Sequence, residues 1–238
     1  MEISIIDPQV IIQDEIDAGL LKRIEKYGRI CYKSEHRIDA NSAPRFVRGL
    51  IERGHESVIE HEKITVIFLT NRGITHEIVR HRIASYSQES TRYCNYQDKM
   101  IFIRPYYFSK ESEVYRIWKE TVYAAARAYT ILLSCGATPE QARGILPGDL
   151  KSEIVVTYNL REWRHFFRLR AGPKAHPQIR QIAIPTLLEF KKKIPVVFDS
   201  VEYDTNFPSA VYAGVSYLPV RGMQAGGTQI DVAWLEEE

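Results

Sequence analysis

The residues best suited to bind a charged ligand lie in one short segment, from Arg80 to Arg92. It reads R-H-R-I-A-S-Y-S-Q-E-S-T-R, so three arginines, one histidine, three serines and a threonine fall within thirteen residues. Arginine is permanently cationic, and its rigid fork of donors matches phosphate or carboxylate. Hydroxyls and free backbone N–H groups complete such a site. Arginines also decorate solvated surfaces, but this density predicts a phosphorylated ligand, and more than one anion.

A second candidate site lies on the helix predicted between Leu160 and Ala171. Helical spacing places Arg170 on the same apolar stripe as Trp163, Phe166 and Phe167, and places the other basic residues elsewhere: Arg161, Arg164, His165 and Arg168. A guanidinium among aromatic rings is costly to bury unless it meets an anion or a polarised oxygen. From the pattern alone, Arg170 either binds a ligand, reaches solvent, or pairs with a core carboxylate.

The histidines do not predict a metal site. His76 and His81 form H-E-x-x-x-H, one residue longer than the zinc-protease motif, so the two side chains point about 140° apart on a helix. His55 and His61, six apart, fail in a similar way. Ser90 lacks the G-x-S-x-G context of a nucleophile, and we interpret it as a hydroxyl that binds phosphate.

Length and composition describe an ordinary globular protein. The chain has 238 residues, 45% hydrophobic and 26% charged, with a net charge of +2. That charge is too small for a general polyanion binder. No apolar run approaches the length of a membrane helix, and the N-terminus does not resemble a signal peptide, so we expect no membrane partner. Three widely spaced cysteines predict neither a disulfide framework nor a zinc site, which makes the cytoplasm the expected compartment.

The elements that must position these residues alternate irregularly. Helices are predicted at 20–32, 42–53, 72–79, 111–134, 139–145, 160–171 and 177–193, with Asn41 or Ser42 and Thr138 as N-caps. Strands are predicted at 3–12, 63–70, 101–105 and 152–158. No βαβ rhythm and no G-x-G-x-x-G motif occur, so we predict an α+β fold. We expect a mixed, mainly antiparallel sheet packed with helices, in a single domain over residues 1–238.

The spacing R-H-R-x7-S-x-R resembles the signature of the flavin-dependent thymidylate synthases, and further local matches run from His55 to Arg170. The resemblance implies reductive methylation of dUMP to dTMP, with FAD as cofactor, 5,10-methylenetetrahydrofolate as carbon donor and NADPH as reductant. It also implies a homotetramer whose sites are shared between subunits. Because the flavin route needs no cysteine nucleophile, we expect ordinary buried thiols.

The resemblance assigns roles to individual positions. It implies FAD contacts for Ser57, Arg80, His81, Arg82, Gln88, Asn159, Arg161 and His165. It implies dUMP contacts for Glu77, Arg80, Gln88, Glu89, Ser90, Thr91, Arg92, Arg143 and Arg170. Arg170 takes the catalytic role, because a fixed cation beside the pyrimidine stabilises charge spread over N3, O4 and C5. Two positions depart from the family: Glu77 replaces a frequent glutamine, and Gln88 replaces a frequent glutamate.

Other classes remain open from the residues alone. Arginines interleaved with Tyr86, Tyr93 and Tyr96 could stack bases in a nucleic-acid-binding module. The small net charge and the lack of a known RNA or DNA motif argue against it, so we expect no nucleic-acid partner. Asn159 and His165 have a plain alternative as a helix cap and a hydrogen-bonded histidine. A relative that has lost activity is the third class, for which Glu77 is the only indication.

Overall fold

A five-stranded sheet forms the centre of the computed structural model, which describes residues 1–17 and 19–218. Its strands are β2 (Gln9–Ile12), β3 (Lys63–Asn71), β4 (Ala84–Gln88), β6 (Lys151–Asn159) and β7 (Gly214–Tyr217), in the order β4-β6-β3-β2-β7. The β2–β3, β3–β6 and β4–β6 pairs are antiparallel, and only β2–β7 is parallel. The predicted α+β class with a mixed, mainly antiparallel sheet is therefore confirmed.

The predicted single opening strand is wrong, because the segment divides into two strands in different sheets. β1 (Glu2–Ile6) pairs in parallel with β5 (Lys99–Ile103) as a separate two-stranded sheet, whereas β2 joins the larger one. Asp7 and Pro8 separate the two strands. Proline has no N–H to donate to a sheet, so the chain can leave one ladder and enter another at this point.

The helices lie close to their predicted positions. They are α1 (Leu20–Ile30), α2 (Ser42–Glu52), α3 (Arg72–Ile78), α4 (Glu113–Ser134), α5 (Pro139–Ala142), α6 (Leu160–Arg170), α7 (Pro177–Lys193) and α8 (Pro195–Phe198). Short 3-10 helices occupy Glu35–Arg37, Glu56–His61, Arg143–Ile145 and Ser209–Val211. The Thr138 cap is confirmed as a full capping box with Gln141. α8 and β7 have no counterpart in the sequence-based prediction.

The predicted cap of α2 is confirmed in its position only, since Asn41 is the N-cap residue of the helix. Asn41 precedes the helix but its side chain makes no capping hydrogen bond. The Ser42 hydroxyl accepts from the Asp39 N–H instead, and donates to the buried carboxylate of Glu25 on α1. Ser42 therefore joins two helices in the core rather than closing the end of one.

The aromatic stripe of α6 packs on one face of the large sheet. Trp163, Phe166 and Phe167 are fully buried, and Phe68 of β3 lies against Trp163 and Phe166. Burying a side chain of this size stabilises the fold by roughly 1.5–3 kcal/mol. This packing holds α6 rigidly on the sheet, and so fixes the position of its last residue, Arg170.

One further expectation is decided by side-chain exposure. The thiols are not ordinary buried ones, because Cys31 and Cys135 are exposed and Cys94 is half-buried. In the part of the chain that the structure describes, no helix combines the length and the apolar character needed to cross a bilayer.

Candidate active site

The arginine-rich motif connects the end of α3 to an edge strand of the large sheet. Arg80, His81 and Arg82 follow α3, and β4 begins at Ala84. Within the described residues β4 pairs with β6 alone, so its outer edge is open. The hydroxyls of Ser85 and Ser87 lie on exposed side chains, whereas Tyr86 points inward, as the two-residue repeat of a strand requires.

α6 begins at a polar pocket of about 420 Å³. Three predicted flavin-binding residues line it: Asn159, Arg161 and His165. Asn159 also caps α6, since its Oδ1 accepts from the Glu162 N–H at 2.8 Å. The plain interpretation of Asn159 as a helix cap is thus confirmed, and its remaining amide donors are available to a ligand. Ile83 brings the motif to the same pocket.

Arg170 meets the motif directly. Its Nε donates to Nε2 of His81 at 3.1 Å, its Nη1 to Oε2 of Glu77 at 2.8 Å, and its Nη2 to the main-chain oxygen of Glu77 at 3.0 Å. The Arg170 side chain is 20% exposed, so part of the guanidinium still faces solvent. Arg170 therefore pairs with a carboxylate, but Glu77 is 30% exposed and is not the core carboxylate expected in one of the alternatives for Arg170.

His81 lies beneath this contact. Its Nδ1 is 2.9 Å from Oε1 of Glu162, and the ring is surrounded by Tyr158, His165 and Phe166. Burial, helped by the nearby Arg170 and His165, lowers the pKa of His81 to about 4. Burial also raises the pKa of the Glu162 carboxyl. The imidazole is therefore neutral at pH 7.

A second group of charged residues, Arg164 and Glu56, lies beside the pocket. It corrects one prediction. Arg164, expected away from the core, is 2% exposed. Its Nε donates to Oε1 of Glu56 at 3.2 Å, and its Nη1 donates to the main-chain oxygen of Val197. Desolvation lowers the pKa of Arg164. The amphipathic pattern of α6 failed here because a carboxylate 108 residues away makes burial of the guanidinium tolerable.

The cations predicted to hold FAD fall into two groups. Arg161 already pairs with Glu60 at 2.6 Å, and its neighbour on α6, Arg168, for which no FAD contact was predicted, pairs with Glu56 at 3.4 Å. Arg80 and Arg82 are exposed, and no ion pair is found for either within residues 1–17 and 19–218. Ser57 is exposed next to Glu56, which lines the pocket. The free positive charge therefore belongs to the motif, not to α6.

Predicted dUMP residues from Gln88 to Thr91 largely face the interior. The Gln88 amide donates to Thr75 and Ser152 at 2.9 and 3.1 Å. The Glu89 carboxylate accepts from the hydroxyl of Tyr96 and the ammonium of Lys151. Thr91 is buried, and the Ser90 hydroxyl accepts from the Arg92 N–H at 3.3 Å.

Of the remaining two predicted dUMP arginines, Arg92 ends the motif and Arg143 comes from a distant segment. Arg92 forms an ion pair at 2.7 Å with Glu140 of α5, and both side chains are about half exposed. Arg143 begins the 3-10 helix that directly follows α5, and its side chain is exposed. The Arg92–Glu140 contact therefore brings the segment of Arg143 to the side of the motif.

One group of side chains in the described ranges has the proximity of metal ligands. Single atoms of His81, Glu162 and His165 lie within 4.8 Å of one another. Both ring nitrogens of His81 already have partners, Glu162 and the cationic Arg170. A metal ion that binds Nε2 of His81 must displace the guanidinium of Arg170, which disfavours metal binding. We therefore interpret the group as a hydrogen-bonded network.

Sequence reasoning missed Glu56 and Glu162. Both precede a residue already identified, Ser57 and Trp163, and each resembles an acid in the exposed first turn of a helix. A usable signal did exist for Glu162. Glu162 precedes Trp163 by one residue and His165 by three. On a helix these spacings place the Glu162 side chain at the border of the apolar stripe, on the same side of the helix as His165.

Comparisons with known proteins identify the family of this chain. A family model described as thymidylate synthase complementing protein matches residues 16–196. The chain is 37% identical over 174 residues to the flavin-dependent thymidylate synthase of Pyrococcus furiosus, with 71% of each chain covered. It is 35% identical over 214 residues to that of Mycolicibacterium vanbaalenii, with 82% of this chain and 84% of that one covered.

Among solved structures, the chain resembles the UMP/dUMP methylase PolB from Streptomyces cacaoi bound with 5-Br dUMP. The TM-score is 0.70 and the sequence identity 25%, and the match covers 84% of this chain and 96% of the other.

Proposed function

Because this chain belongs to the family of flavin-dependent thymidylate synthases, we propose that it is an enzyme that methylates dUMP to dTMP with the help of a bound flavin. The observation that carries this proposal is that Arg170 contacts both His81 of the motif and Glu77 of α3. Arg170 lies about 90 residues from these two partners in the sequence. The contact leaves N–H donors of its guanidinium unused, and these can stabilise charge on a substrate.

The residues at the pocket fit an anionic dinucleotide such as FAD. Arg80 and Arg82 offer charge that no carboxylate of the described residues takes up, and the 420 Å³ pocket adds the donors of Asn159 and Arg161. We propose that these residues, with Ser57, His165 and the segment of His81, hold FAD. When bound, the flavin supplies the redox chemistry, with 5,10-methylenetetrahydrofolate as carbon donor and NADPH as reductant.

The substrate phosphate needs cations on the other side of the motif. We propose that Arg92 and Arg143, with the Ser90 hydroxyl, bind the phosphate of dUMP, and that Arg92 exchanges its half-exposed contact with Glu140 for it. An exposed ion pair contributes roughly 1 kcal/mol or less, so this exchange costs little. The side chains of Gln88 and Glu89 support the strand and loop that carry Ser90.

Arg170 is the proposed catalytic residue. Its guanidinium stabilises negative charge that spreads over N3, O4 and C5 of the uracil, which makes C5 nucleophilic. A preorganised donor of this kind lowers a barrier by roughly 3 kcal/mol. Glu77 neutralises part of that charge, and holds the guanidinium in place before the substrate arrives.

The pocket of one chain also leaves much of a dinucleotide uncovered. The open edge of β4 and exposed apolar residues near the motif, Val79, Ile83 and Leu169, suit contact with further copies. We therefore propose a homotetramer with shared sites, located in the cytoplasm.

The test is reconstitution with FAD followed by an assay of dTMP formation from dUMP, methylenetetrahydrofolate and NADPH. We expect a yellow protein that bleaches with NADPH and forms dTMP. We expect Arg170→Ala to keep its flavin and lose 100-fold or more in kcat. A wild-type protein that binds flavin and forms no dTMP refutes the function, and an active Arg170→Ala refutes the role of the arginine.

A further inference from the structure

The guanidinium of Arg170 is held on one side and free on the other. Arginine has five N–H donors, and bonds to His81 Nε2, Glu77 Oε2 and the Glu77 main-chain oxygen use three of them. Two N–H donors remain on a side chain that is 20% exposed. Arg170 can therefore bind a ligand without giving up the contacts that orient it.

The bond to His81 requires one particular tautomer. Arginine has no acceptor and does not lose its proton, so Nε2 of His81 must accept and cannot carry hydrogen. The proton of the neutral ring then lies on Nδ1, where its partner among the described residues is the Glu162 carboxylate at 2.9 Å. The order is thus fixed from end to end: Glu162 accepts from His81, and His81 accepts from Arg170.

The surroundings of His81 favour the neutral ring and keep it still. Its titratable and charged neighbours are Glu162, His165 and Arg170 from α6, and Tyr158 from β6. The main-chain oxygen of His81 also accepts from the Tyr86 hydroxyl at 2.5 Å. Burial and the nearby cations hold the pKa of His81 well below its usual range, in keeping with this geometry.

We propose that Glu162 is a positioning residue for Arg170 and acts through His81, by keeping the imidazole proton on Nδ1. This inference rests on the proposed function, since it gives Arg170 its catalytic role. Without the carboxylate, the ring is free to place its proton on Nε2. That N–H would then face the N–H of Arg170 Nε, and two donors in contact push the guanidinium out of position.

The wild-type protein tests the first half of the proposal without any substitution or turnover. The chain has seven histidines, so ¹⁵N spectra of histidine-labelled protein are simple, and the His81 signal is identified by its loss in H81Q. We expect a neutral ring protonated on Nδ1 from pH 6 to pH 8. A ring protonated on Nε2, or a charged ring at pH 7, overturns the proposal.

Variants of Glu162 test the second half. We expect Glu162→Ala to lose about 10- to 100-fold in kcat, the usual cost of removing a group that orients a functional histidine, with a smaller change in the KM for dUMP. Glu162→Gln still offers an oxygen to the Nδ1 proton, so it should retain at least tenfold more activity than Glu162→Ala. The matched control is Glu25→Gln, which alters an equally buried carboxylate on α1, bonded to Arg29 and Ser42; its kcat should stay within twofold of wild type.

A spectroscopic readout separates positioning from general damage. A fixed cation favours the N3-deprotonated uracil, so ultraviolet difference titration of bound dUMP should show ionisation at higher pH in Glu162→Ala than in wild type. Equal ionisation in the two proteins overturns the proposal, as does a kcat of Glu162→Ala within twofold of wild type. Failure of wild type itself to form dTMP refutes the proposed function instead, and leaves the tautomer measurement as the test of the Glu162–His81 contact.

Discussion

Replacing His81 with glutamine should make the protein less sensitive to acid. His81 is neutral in the folded protein, with its pKa lowered from 6.5 to about 4. Between these two values the unfolded chain binds more protons than the folded one, so the free energy of unfolding must fall as the pH is lowered. In H81Q the amide can still donate to Glu162 and accept from Arg170, but it does not titrate.

The magnitude follows from the two pKa values. Near pH 5 the difference in bound protons is close to one, which gives a slope of about 1.2 kcal/mol per pH unit, and the total between pH 7 and pH 5 is about 2 kcal/mol. The raised pKa of Glu162 acts with the opposite sign, but that residue is present in both proteins. The difference between the two proteins therefore reports on His81.

Urea unfolding at fixed protein concentration, repeated at half-unit steps from pH 7.5 to pH 5, measures the effect. We expect the wild-type curve of unfolding free energy to descend more steeply than that of H81Q by about 2 kcal/mol over this range. The matched control is His36→Gln, which removes an exposed histidine and should leave the slope unchanged. Parallel curves for wild type and H81Q would show that His81 is not held neutral by burial.

Three other substitutions have defined outcomes. Glu56→Ala should lower the free energy of unfolding, measured in urea, by about 3 kcal/mol, because it leaves the buried guanidinium of Arg164 unpaired. The control Glu60→Ala removes only the partner of the exposed Arg161 and should lower the free energy of unfolding by less than about 1 kcal/mol. Equal losses in the two variants would contradict the reasoning. Asn159→Ala should cost about 1 kcal/mol in the same assay by removing the cap of α6, with Asn159→Ser recovering most of it; a neutral Asn159→Ala would exclude the cap as a source of stability. Replacing all three cysteines with serine should leave dTMP formation within twofold, since no thiol lies in the pocket; a tenfold loss would indicate a cysteine nucleophile.

The parts of the fold that the sequence predicts well are those set by local chemistry. α7 has its predicted bounds, Pro177 to Lys193, because proline at the first helical position sets the start of the helix through local chemistry. Strands β3 and β6 follow from runs of β-branched residues in the same way. The division of the opening segment between two sheets depends on partners about 60 and 97 residues away, and no local pattern carries that information.

In the functional site too, local sequence predicts some residues, whereas contacts between distant segments determine the others. The motif and the stripe of α6 identify Arg170 and the motif arginines by residue type and spacing. What the sequence cannot give is the set of carboxylates that face them, since Glu77, Glu162 and Glu56 meet their partners across the fold. A buried charge is tolerated only through such a pairing, so Arg164 could not be placed in the core without knowledge of Glu56.

One hydrogen bond that holds Arg170 does not depend on which side chain stands at residue 77. Nη2 of Arg170 donates to the main-chain oxygen of residue 77, and every amino acid supplies that oxygen. A substitution of Glu77 therefore changes the charge beside Arg170 while this main-chain hydrogen bond persists. The side chain of residue 77 can thus set how much of the positive charge is neutralised, while the main chain of the same residue keeps the guanidinium in its position.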